Sequence, residues 1–457
     1  MAGAFDLVII GAGTAGRAAA GRAARLGLRT ALIEKEERLG GASLLKYPLC
    51  RQVLLEAAAG RRRGSAEIDW TAVTVAVEAA ARRQALAVAR LMDRLGVTVL
   101  HGQAHLDGPG KVVVAADQGS AVLTADKVIV AAGSLPAGLP GVQPDGHNVF
   151  TADQLADLKE LPTSLIVVGA GATGVELAGI MQTLGSRVTL VEMQDAVLPW
   201  LDPTAGVRVD QALGERGVRV LTGHKARQVR IEDGGVRCAA RCLATGRTAE
   251  LAAAGLLLAV GRRPATGHLG LETCDAVRDK RGFIQTDGFM ASAEPGHYAV
   301  GGVVATPALS HVAAREGWIA AGHAAGQRVL PLRYHQIPQA IVGIVEAAAV
   351  GLTETEAIAA GHAVRTGVSG AEAGEPDPSA DDHPVFAKII ADDPSGMLLG
   401  VHLVGPGAGM VIGEAATALG LGAQPEAWSD VFHPRSALAE AVTEALLAAA
   451  APAAAGG

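Results

Sequence analysis

The sequence has few aromatic residues, few cysteines, no excess of positive charge and no long uninterrupted apolar run. Its 39 Lys and Arg residues face 46 Asp and Glu residues, a net charge of −7, which argues against nucleic-acid binding because such proteins carry a basic face. The longest apolar stretches, such as residues 164–181, contain Glu176 and several glycines. No stretch therefore predicts a transmembrane helix, and the amino terminus lacks the features of a secretory signal.

The cysteine content predicts a reduced, cytoplasmic protein rather than a secreted one stapled by disulfides. Only four cysteines occur in 457 residues: Cys50, Cys238, Cys242 and Cys274. Glycine, by contrast, is abundant at 59 residues, and 49% of the chain is apolar. This composition excludes wholesale disorder, and the length predicts roughly three domains at about 150 residues each.

A strand, a glycine-rich turn, a helix and a second strand open the chain. Gly11 allows the tight turn, Gly13 lets a pyrophosphate approach the backbone, and Gly16 lets helix and strand pack closely. The amino terminus of the helix then presents free N–H groups to phosphates. Glu34, at the end of the second strand, is placed to accept hydrogen bonds from an adenosine ribose. The pattern predicts a dinucleotide-binding βαβ unit.

The same pattern returns at Gly169, Gly171 and Gly174, with Glu192 at the end of the following strand. A charged Glu192 would repel a 2′-phosphate, which favours NAD over NADP. Two such units predict an α/β fold with two Rossmann-like domains. After residue 330 the pattern changes, and the chain ends in an Ala-rich helix.

Further segments, taken with the two turns, carry a family resemblance. They are Val-Ile-Val-Ala-Ala-Gly-Ser at 128–134, Val-Gly-Arg-Arg-Pro at 260–264, Tyr-Ala-Val-Gly-Gly-Val at 298–303, Val-Gly-Leu-Thr-Glu-Thr-Glu-Ala at 350–357, and Phe-His-Pro at 432–434. Over nearly its whole length the chain resembles the pyridine nucleotide–disulfide oxidoreductases, and most of all the dihydrolipoamide dehydrogenase, mercuric reductase and soluble transhydrogenase type.

The resemblance implies an FAD domain in two pieces at 1–150 and 273–330, an NAD domain at 151–272, and a C-terminal α+β dimerisation domain at 331–457. It implies FAD and NAD as cofactors and a homodimer as the assembly. The residues that match the family's cofactor sites are Gly11, Gly13, Gly16, Glu34, Gly41, Ser134 and Gly302 for FAD, and Gly169, Gly171, Gly174, Glu192 and Gly261 for NAD.

The chain departs from the family at the redox-active cysteine pair. Ser43 replaces the first cysteine, Pro48 the second, and Gln52 the lysine that the family places near the flavin. Cys50 stands alone, two places out of register. Disulfide exchange needs a thiolate and a resolving thiol, so this segment does not predict a redox disulfide.

Three further positions are altered. Gly302 stands where the family has an aspartate, a loss that would weaken FAD binding by about one to two decades. Glu176 matches a family glutamate near the flavin but lacks its lysine, so either Arg51 meets its charge or its pKa rises on burial. The family pairs its His-Pro histidine with a glutamate five residues on. Here the nearest after His433 is Glu440, seven on, so the histidine is either unoriented or paired through a local insertion.

The leading hypothesis is an NADH-dependent FAD oxidoreductase that passes electrons from the flavin directly to a small-molecule acceptor. Its candidate catalytic residues are Ser43, Cys50, Glu176, His433 and Glu440, and no metal site is predicted. One alternative is a catalytically silent nucleotide-binding or scaffolding homologue. Another is a disulfide reductase that uses Cys50 with an external thiol. The sequence does not identify the acceptor.

Overall fold

A computed structural model describes residues 3–62, 68–116, 119–232, 234–369, 385–434 and 436–450. Residues 376–382, whose proline, serine and aspartate content predicts a surface loop, lie outside the described residues, as do residues 451–457. In the described part of the chain, none of the helices combines the length and the hydropathy that a membrane crossing requires.

The first part of the chain forms a mainly parallel sheet covered by helices. Its elements are β1 Gly3–Ile10, α1 Thr14–Arg25, β2 Thr30–Glu34, α2 Ala42–Leu45, α3 Tyr47–Arg62, α4 Trp70–Arg94, β3 Thr98–His101, β4 Gln103–Leu106, β5 Lys111–Ala116, β6 Gly119–Val130, β7 Ser134–Pro136 and β8 Val149–Thr151. The strand order is β3-β2-β1-β6-β5-β4. Strands β3, β2, β1 and β6 run parallel, so the turn after β1 lies at the carboxyl edge of the sheet.

The second part repeats this arrangement and adds an antiparallel meander. Its elements are β9 Ser164–Val168, α5 Ala172–Leu184, β10 Arg187–Val191, α6 Pro203–Glu215, β11 Arg219–Leu221, β12 His224–Glu232, β13 Gly235–Cys242, β14 Thr248–Ala253, β15 Gly255–Leu258 and β16 Arg262–Pro264. The parallel order is β11-β10-β9-β15-β8, and β12-β13-β14 forms the meander. The second turn therefore lies at the carboxyl edge of its own sheet, as the first turn does in the first sheet.

The third part returns one strand to the first sheet and then builds a separate antiparallel sheet. Its elements are β17 His297–Ala299, α7 Ser310–Ala324, β18 Gln339–Ile341, β19 Ala347–Gly351, α8 Glu354–Ala359, β20 Val364–Ser369, β21 Phe386–Asp392, β22 Leu398–Val404, α9 Ala408–Gly420, α10 Pro425–Ser429 and α11 Ala437–Ala450. Strand β17 pairs with β6, and the last sheet has the order β18-β19-β22-β21-β20. The predicted fold class, two Rossmann-like units followed by an α+β domain, is confirmed. The four predicted domain ranges stay a prediction.

A buried ion pair joins the second part to the last sheet. The Nζ atom of Lys388 lies 2.9 Å from Asp202 Oδ1 and 2.6 Å from Glu354 Oε2. Burial would raise the pKa of Asp202, but hydrogen bonds from Lys388 and from the backbone N–H of Glu354 hold it below its usual value. Through these contacts Asp202, which precedes α6, is bound to Lys388 on β21 and to the start of α8.

Candidate active site

The two glycine-rich turns separate into glycines that the fold requires and glycines that leave space. A Cβ atom on Gly16 would lie 1.8 Å from the carbonyl oxygen of Gly11, so only glycine lets α1 pack there. A Cβ on Gly171 would meet no atom within 4 Å, and one on Gly13 would meet only the Cα atom of Gly41, at 4.0 Å. Few protein atoms lie in the space in front of Gly13 and Gly171. The motif places a pyrophosphate in that space.

The helices that follow these turns begin without side-chain caps. Gly13 is the N-cap of α1 and Gly171 that of α5, and neither helix has an acidic residue in its first turn. The first backbone N–H groups of a helix have no intrahelical acceptor and bear the positive end of its dipole. Both helix ends therefore fit a phosphate group, one for FAD and one for NAD.

Glu34 and Glu192 are held rigidly beside these turns. Glu34 Oε2 accepts a hydrogen bond from the N–H of Ala12 at 2.8 Å, and Glu192 Oε2 accepts one from the N–H of Ala170 at 2.6 Å. In each case the other carboxylate oxygen accepts from the N–H two residues further on. Each oxygen has further lone-pair capacity, so both acids fit the ribose-binding role that the sequence predicts.

A cleft of about 720 Å³ begins directly after Glu192. Its walls come from the segment after β10 and from Leu243 and Ala244, and none of its lining residues is Lys or Arg. The cleft thus offers no cation to a 2′-phosphate. An NADP site would need a cation for the 2′-phosphate.

Ser134 occupies the space beside Gly302, where the family has an aspartate. A Cβ atom on Gly302 would lie 2.7 Å from Ser134 Oγ and 2.8 Å from its backbone nitrogen. Arg262 holds Ser134 there, because its Nε donates to Ser134 Oγ at 2.8 Å and its Nη2 to the Ser134 carbonyl at 2.8 Å. Arg262 also pairs with Asp153 at 3.1 Å. The absence of the aspartate is therefore coupled to a close approach of β7.

We expect the change Gly302→Ala to lower the free energy of unfolding by about 1–3 kcal/mol, because the new methyl group overpacks against Ser134. The fraction of purified protein that carries FAD should fall with it, since β7 must shift. Denaturant unfolding and the ratio of flavin to protein absorbance measure the two effects. Gly267→Ala is the control, because a Cβ there meets nothing within 4 Å. Equal stability and flavin content in the two variants would show that the approach is not tight.

Glu176 lies where the first part, the second part and the last sheet meet. Its carboxylate accepts hydrogen bonds from the Tyr47 hydroxyl, from Arg51 Nη1 at 2.5 Å and from the backbone N–H of Val342 at 2.8 Å. The Glu176 side chain is 3% exposed, and that of Arg51 is 25% exposed. Arg51 thus takes the place of the missing lysine, while Gln52 is exposed.

The environment of Glu176 favours its protonated form more than water does. Burial raises the pKa of Glu176 above its usual value, although Arg51, Tyr47 and the Val342 N–H pull in the opposite direction. Burial and the Glu176 charge together raise the pKa of Tyr47 well above its usual value. The pair thus holds at least one proton, on the phenol, throughout the physiological pH range.

The position of the first family cysteine is taken by a hydroxyl pair. Ser43, on α2, hydrogen-bonds to Thr14 at the start of α1. Cys50 is 2% exposed on α3, and burial raises the pKa of its thiol to about 12. A thiol with that pKa is not a nucleophile at neutral pH.

All four cysteines are free thiols. Cys50 packs in the core that joins α3 to the second parallel sheet, whereas Cys238 packs between that sheet and the meander. Cys242 is on the same meander, and Cys274 packs against the first sheet. The thiols thus lie in three parts of the fold, with Cys238 and Cys242 on the same strand β13 and Cys50 and Cys274 elsewhere.

His433 has a partner that its sequence neighbourhood does not show. Its Nε2 lies 2.7 Å from Glu414 Oε1 on α9, and Trp428 Nε1 donates to the same oxygen at 2.6 Å. Glu440 lies exposed in the first turn of α11. The structure orients the imidazole through Glu414 and not through Glu440. A catalytic role for His433 and Glu440 stays a prediction.

Comparison with known proteins places this geometry in a family. Residues 5–317 match the family model described as pyridine nucleotide-disulphide oxidoreductase, and residues 337–446 match the dimerisation domain of the same family. The chain belongs to the pyridine nucleotide-disulphide oxidoreductase family. It is an FAD-dependent pyridine nucleotide oxidoreductase of the dihydrolipoamide dehydrogenase type, and its cofactors are FAD and NAD(H).

Relatives of known name align with the chain from end to end. Dihydrolipoyl dehydrogenase of Bacillus subtilis (strain 168) is 34% identical over 469 residues, with 98% of each chain covered. Dihydrolipoyl dehydrogenase 3 of Pseudomonas aeruginosa is 34% identical, with 97% of each covered. The crystal structure of LpdA from Mycobacterium tuberculosis superimposes with a TM-score of 0.86 at 29% identity and covers 97% of this chain and 99% of its own.

Sequence reasoning missed several residues that build the site. Arg262 stands inside a quoted motif, yet only the structure shows that it holds Ser134. Glu316 is fully buried on α7 and accepts hydrogen bonds from the Gly301 N–H at 2.7 Å and the Tyr334 hydroxyl at 2.9 Å. Glu316 is the only acidic residue of α7, but Arg315 and two histidines stand on the same helix, so the local signal for its burial was weak. The partnership of Glu414 with His433 left no local signal.

Proposed function

We propose that the chain oxidises NADH through FAD and passes the electrons to a small-molecule acceptor without a redox disulfide. The observation that carries the proposal is the environment of Cys50, a buried, protonated thiol with no second cysteine nearby. Ser43 and Pro48 stand where the family has its two sulfurs. Neither a hydroxyl nor a proline ring can take up electrons as a disulfide does.

In this proposal each cofactor is held by the groups described above. Gly11, Gly13, Gly16, Glu34 and Gly41 cradle the adenosine diphosphate part of FAD, and Ser134 and the backbone at Gly302 hold the rest. The NAD site is formed by Gly169, Gly171, Gly174, Glu192 and Gly261. When bound, FAD accepts a hydride from NADH and releases two electrons to the acceptor. The protein orients the two cofactors, and Glu176, with Arg51 and Tyr47, fixes the junction between their domains.

A homodimer is part of the proposal. Several large apolar side chains in the last part of the chain are exposed to solvent: Met410 is 84% exposed, Leu421 is 81% exposed, and Phe432 is fully exposed. Large exposed apolar side chains are typical of an interface when they form one patch. The match to a dimerisation domain supports the same assembly. The four free thiols support a cytoplasmic location, which stays a prediction.

Anaerobic mixing of the purified protein with NADH tests the function. We expect NADH to reduce the flavin, so that its yellow absorbance disappears. We expect NADPH to reduce the flavin at least about tenfold less efficiently than NADH does, because Glu192 repels its 2′-phosphate. Reoxidation by added quinones or dyes then ranks acceptors. A flavin that stays oxidised under NADH would contradict the proposal, and a colourless protein that binds NAD would favour a catalytically silent homologue.

A further inference from the structure

Arg17, on the first turn of α1, is a partly buried cation that has no counter-ion in the part of the chain that the structure describes. Its Nε atom is buried and has no hydrogen-bond partner. Its only hydrogen bond among the described residues joins Nη2 to Thr14 Oγ1 at 3.5 Å, and none of their carboxylates lies within ion-pair distance. Burial lowers the pKa of Arg17, yet an arginine stays charged in a protein. Burying a guanidinium without a paired acid costs free energy, so such a group indicates that an anionic ligand binds there.

The neighbours of Arg17 place it beside the altered cysteine segment. Thr14, which contacts Arg17, also hydrogen-bonds to Ser43. Ser43 stands at the position of the first family cysteine, the side of the flavin on which we place the acceptor of the proposed function. All three side chains are partly exposed rather than sealed in the core. Two hydroxyls and one free guanidinium thus converge on a place that a small molecule can reach.

Two further arginines lie on α1 and on helix α7, which packs against α1. Arg22, on the same helix, stacks on Trp318 with its Cζ atom 4.2 Å from the ring centroid, and Arg315 stacks on the same ring at 4.3 Å. Neither has an ion pair with a carboxylate among the described residues, and the Nε atom of Arg22 is also buried without a partner. In a chain of net charge −7, these arginines give the helix pair α1 and α7 a local positive charge.

We propose that Arg17 binds an anionic group, a carboxylate or a sulfonate, of the molecule that accepts electrons from the flavin. The planar guanidinium offers parallel N–H groups that match such oxyanions, and the Ser43 and Thr14 hydroxyls supply further donors. The identity of the ligand as an acceptor rests on the proposed function. The anion site itself does not.

A redox-inert aromatic anion separates this site from the cofactor. Calorimetry measures the binding of 2-naphthalenesulfonate to the FAD-loaded protein, with neutral 2-naphthol for comparison. We expect the change Arg17→Gln to weaken sulfonate binding about ten- to a hundredfold, the loss of charge-assisted hydrogen bonds, and to leave 2-naphthol binding unchanged. Arg25→Gln is the matched control, because it removes the same charge from an exposed position on the same helix.

The outcomes are distinct. Weaker sulfonate binding in Arg17→Gln alone, with an unchanged dissociation constant for FAD, supports the site. Three results would overturn it: no sulfonate binding by the parent protein, an equal loss in Arg25→Gln, or a loss of FAD affinity without a loss of sulfonate affinity. In the last case Arg17 serves the FAD pyrophosphate. If NADH fails to reduce the flavin, the proposed function fails while this binding measurement still reports on Arg17.

Discussion

Replacing Gly171 with alanine is expected to slow flavin reduction by NADH about a hundredfold or more, while the fold and the bound FAD are preserved. Gly171 has φ −72° and ψ −175°, a conformation that any residue adopts, and a Cβ there meets no protein atom within 4 Å. The methyl group would instead fill the space through which the pyrophosphate of NADH reaches the helix end. A displaced nicotinamide loses the alignment on which hydride transfer depends.

Anaerobic stopped-flow absorbance at the flavin band measures this rate, and thermal unfolding measures the fold. Gly214→Ala is the control, because its Cβ also meets nothing within 4 Å but lies on α6, away from the turn. Gly171→Ala with the NADH rate of Gly214→Ala would mean that the second turn does not bind the cofactor.

Replacing Arg51 with methionine is expected to lower the free energy of unfolding by about 2–3 kcal/mol at pH 8. The change leaves the Glu176 carboxylate buried without its cation. We expect a smaller loss of stability than for a fully buried ion pair, because the Arg51 side chain is partly exposed. Burial already holds the pKa of Glu176 above its usual value of 4.5, and removal of Arg51 raises it further. A raised carboxyl pKa in the folded state costs stability as pH rises above the unfolded value. The loss at pH 5 should therefore be clearly smaller than at pH 8.

Denaturant unfolding at the two pH values measures the effect of Arg51→Met. Gln52→Met serves as control, since Gln52 is exposed on the same helix. Adding Glu176→Gln to Arg51→Met should recover most of the lost stability at pH 8, because the stranded charge is then gone. A loss that does not depend on pH, or that persists in the double variant, would show that Arg51 acts through packing alone.

The sequence predicted those features of the site whose geometry depends on residues close together in the chain. In each of the two units, the glycine turn, its helix and the acid that follows, Glu34 or Glu192, lie within about 25 residues of one another, so their geometry follows from the motif. Arg51 was also within reach, because it stands beside Gln52 on a helix. Whether it or Gln52 faced Glu176 depended on the rotation of α3, which spacing alone does not determine.

Contacts between distant segments could not be predicted. Ser134 and Gly302 are 168 residues apart, and their close approach depends on how β7 packs against the loop after β17. Glu414 reaches His433 because α9 and α10 fold together, whereas the sequence offered only Glu440. Tyr47 meets Glu176 across 129 residues. In each case tertiary packing, not the local pattern, selects the partner.

The number of electrons that the protein accepts per flavin tests the account most directly. Anaerobic titration of the purified protein with dithionite, followed at the flavin band, counts them. A redox disulfide takes up two electrons in addition to the two of the flavin. The account predicts two electrons per FAD, with the same count after Cys50→Ser. Four electrons per FAD would show that a pair of sulfurs takes part, and would contradict it.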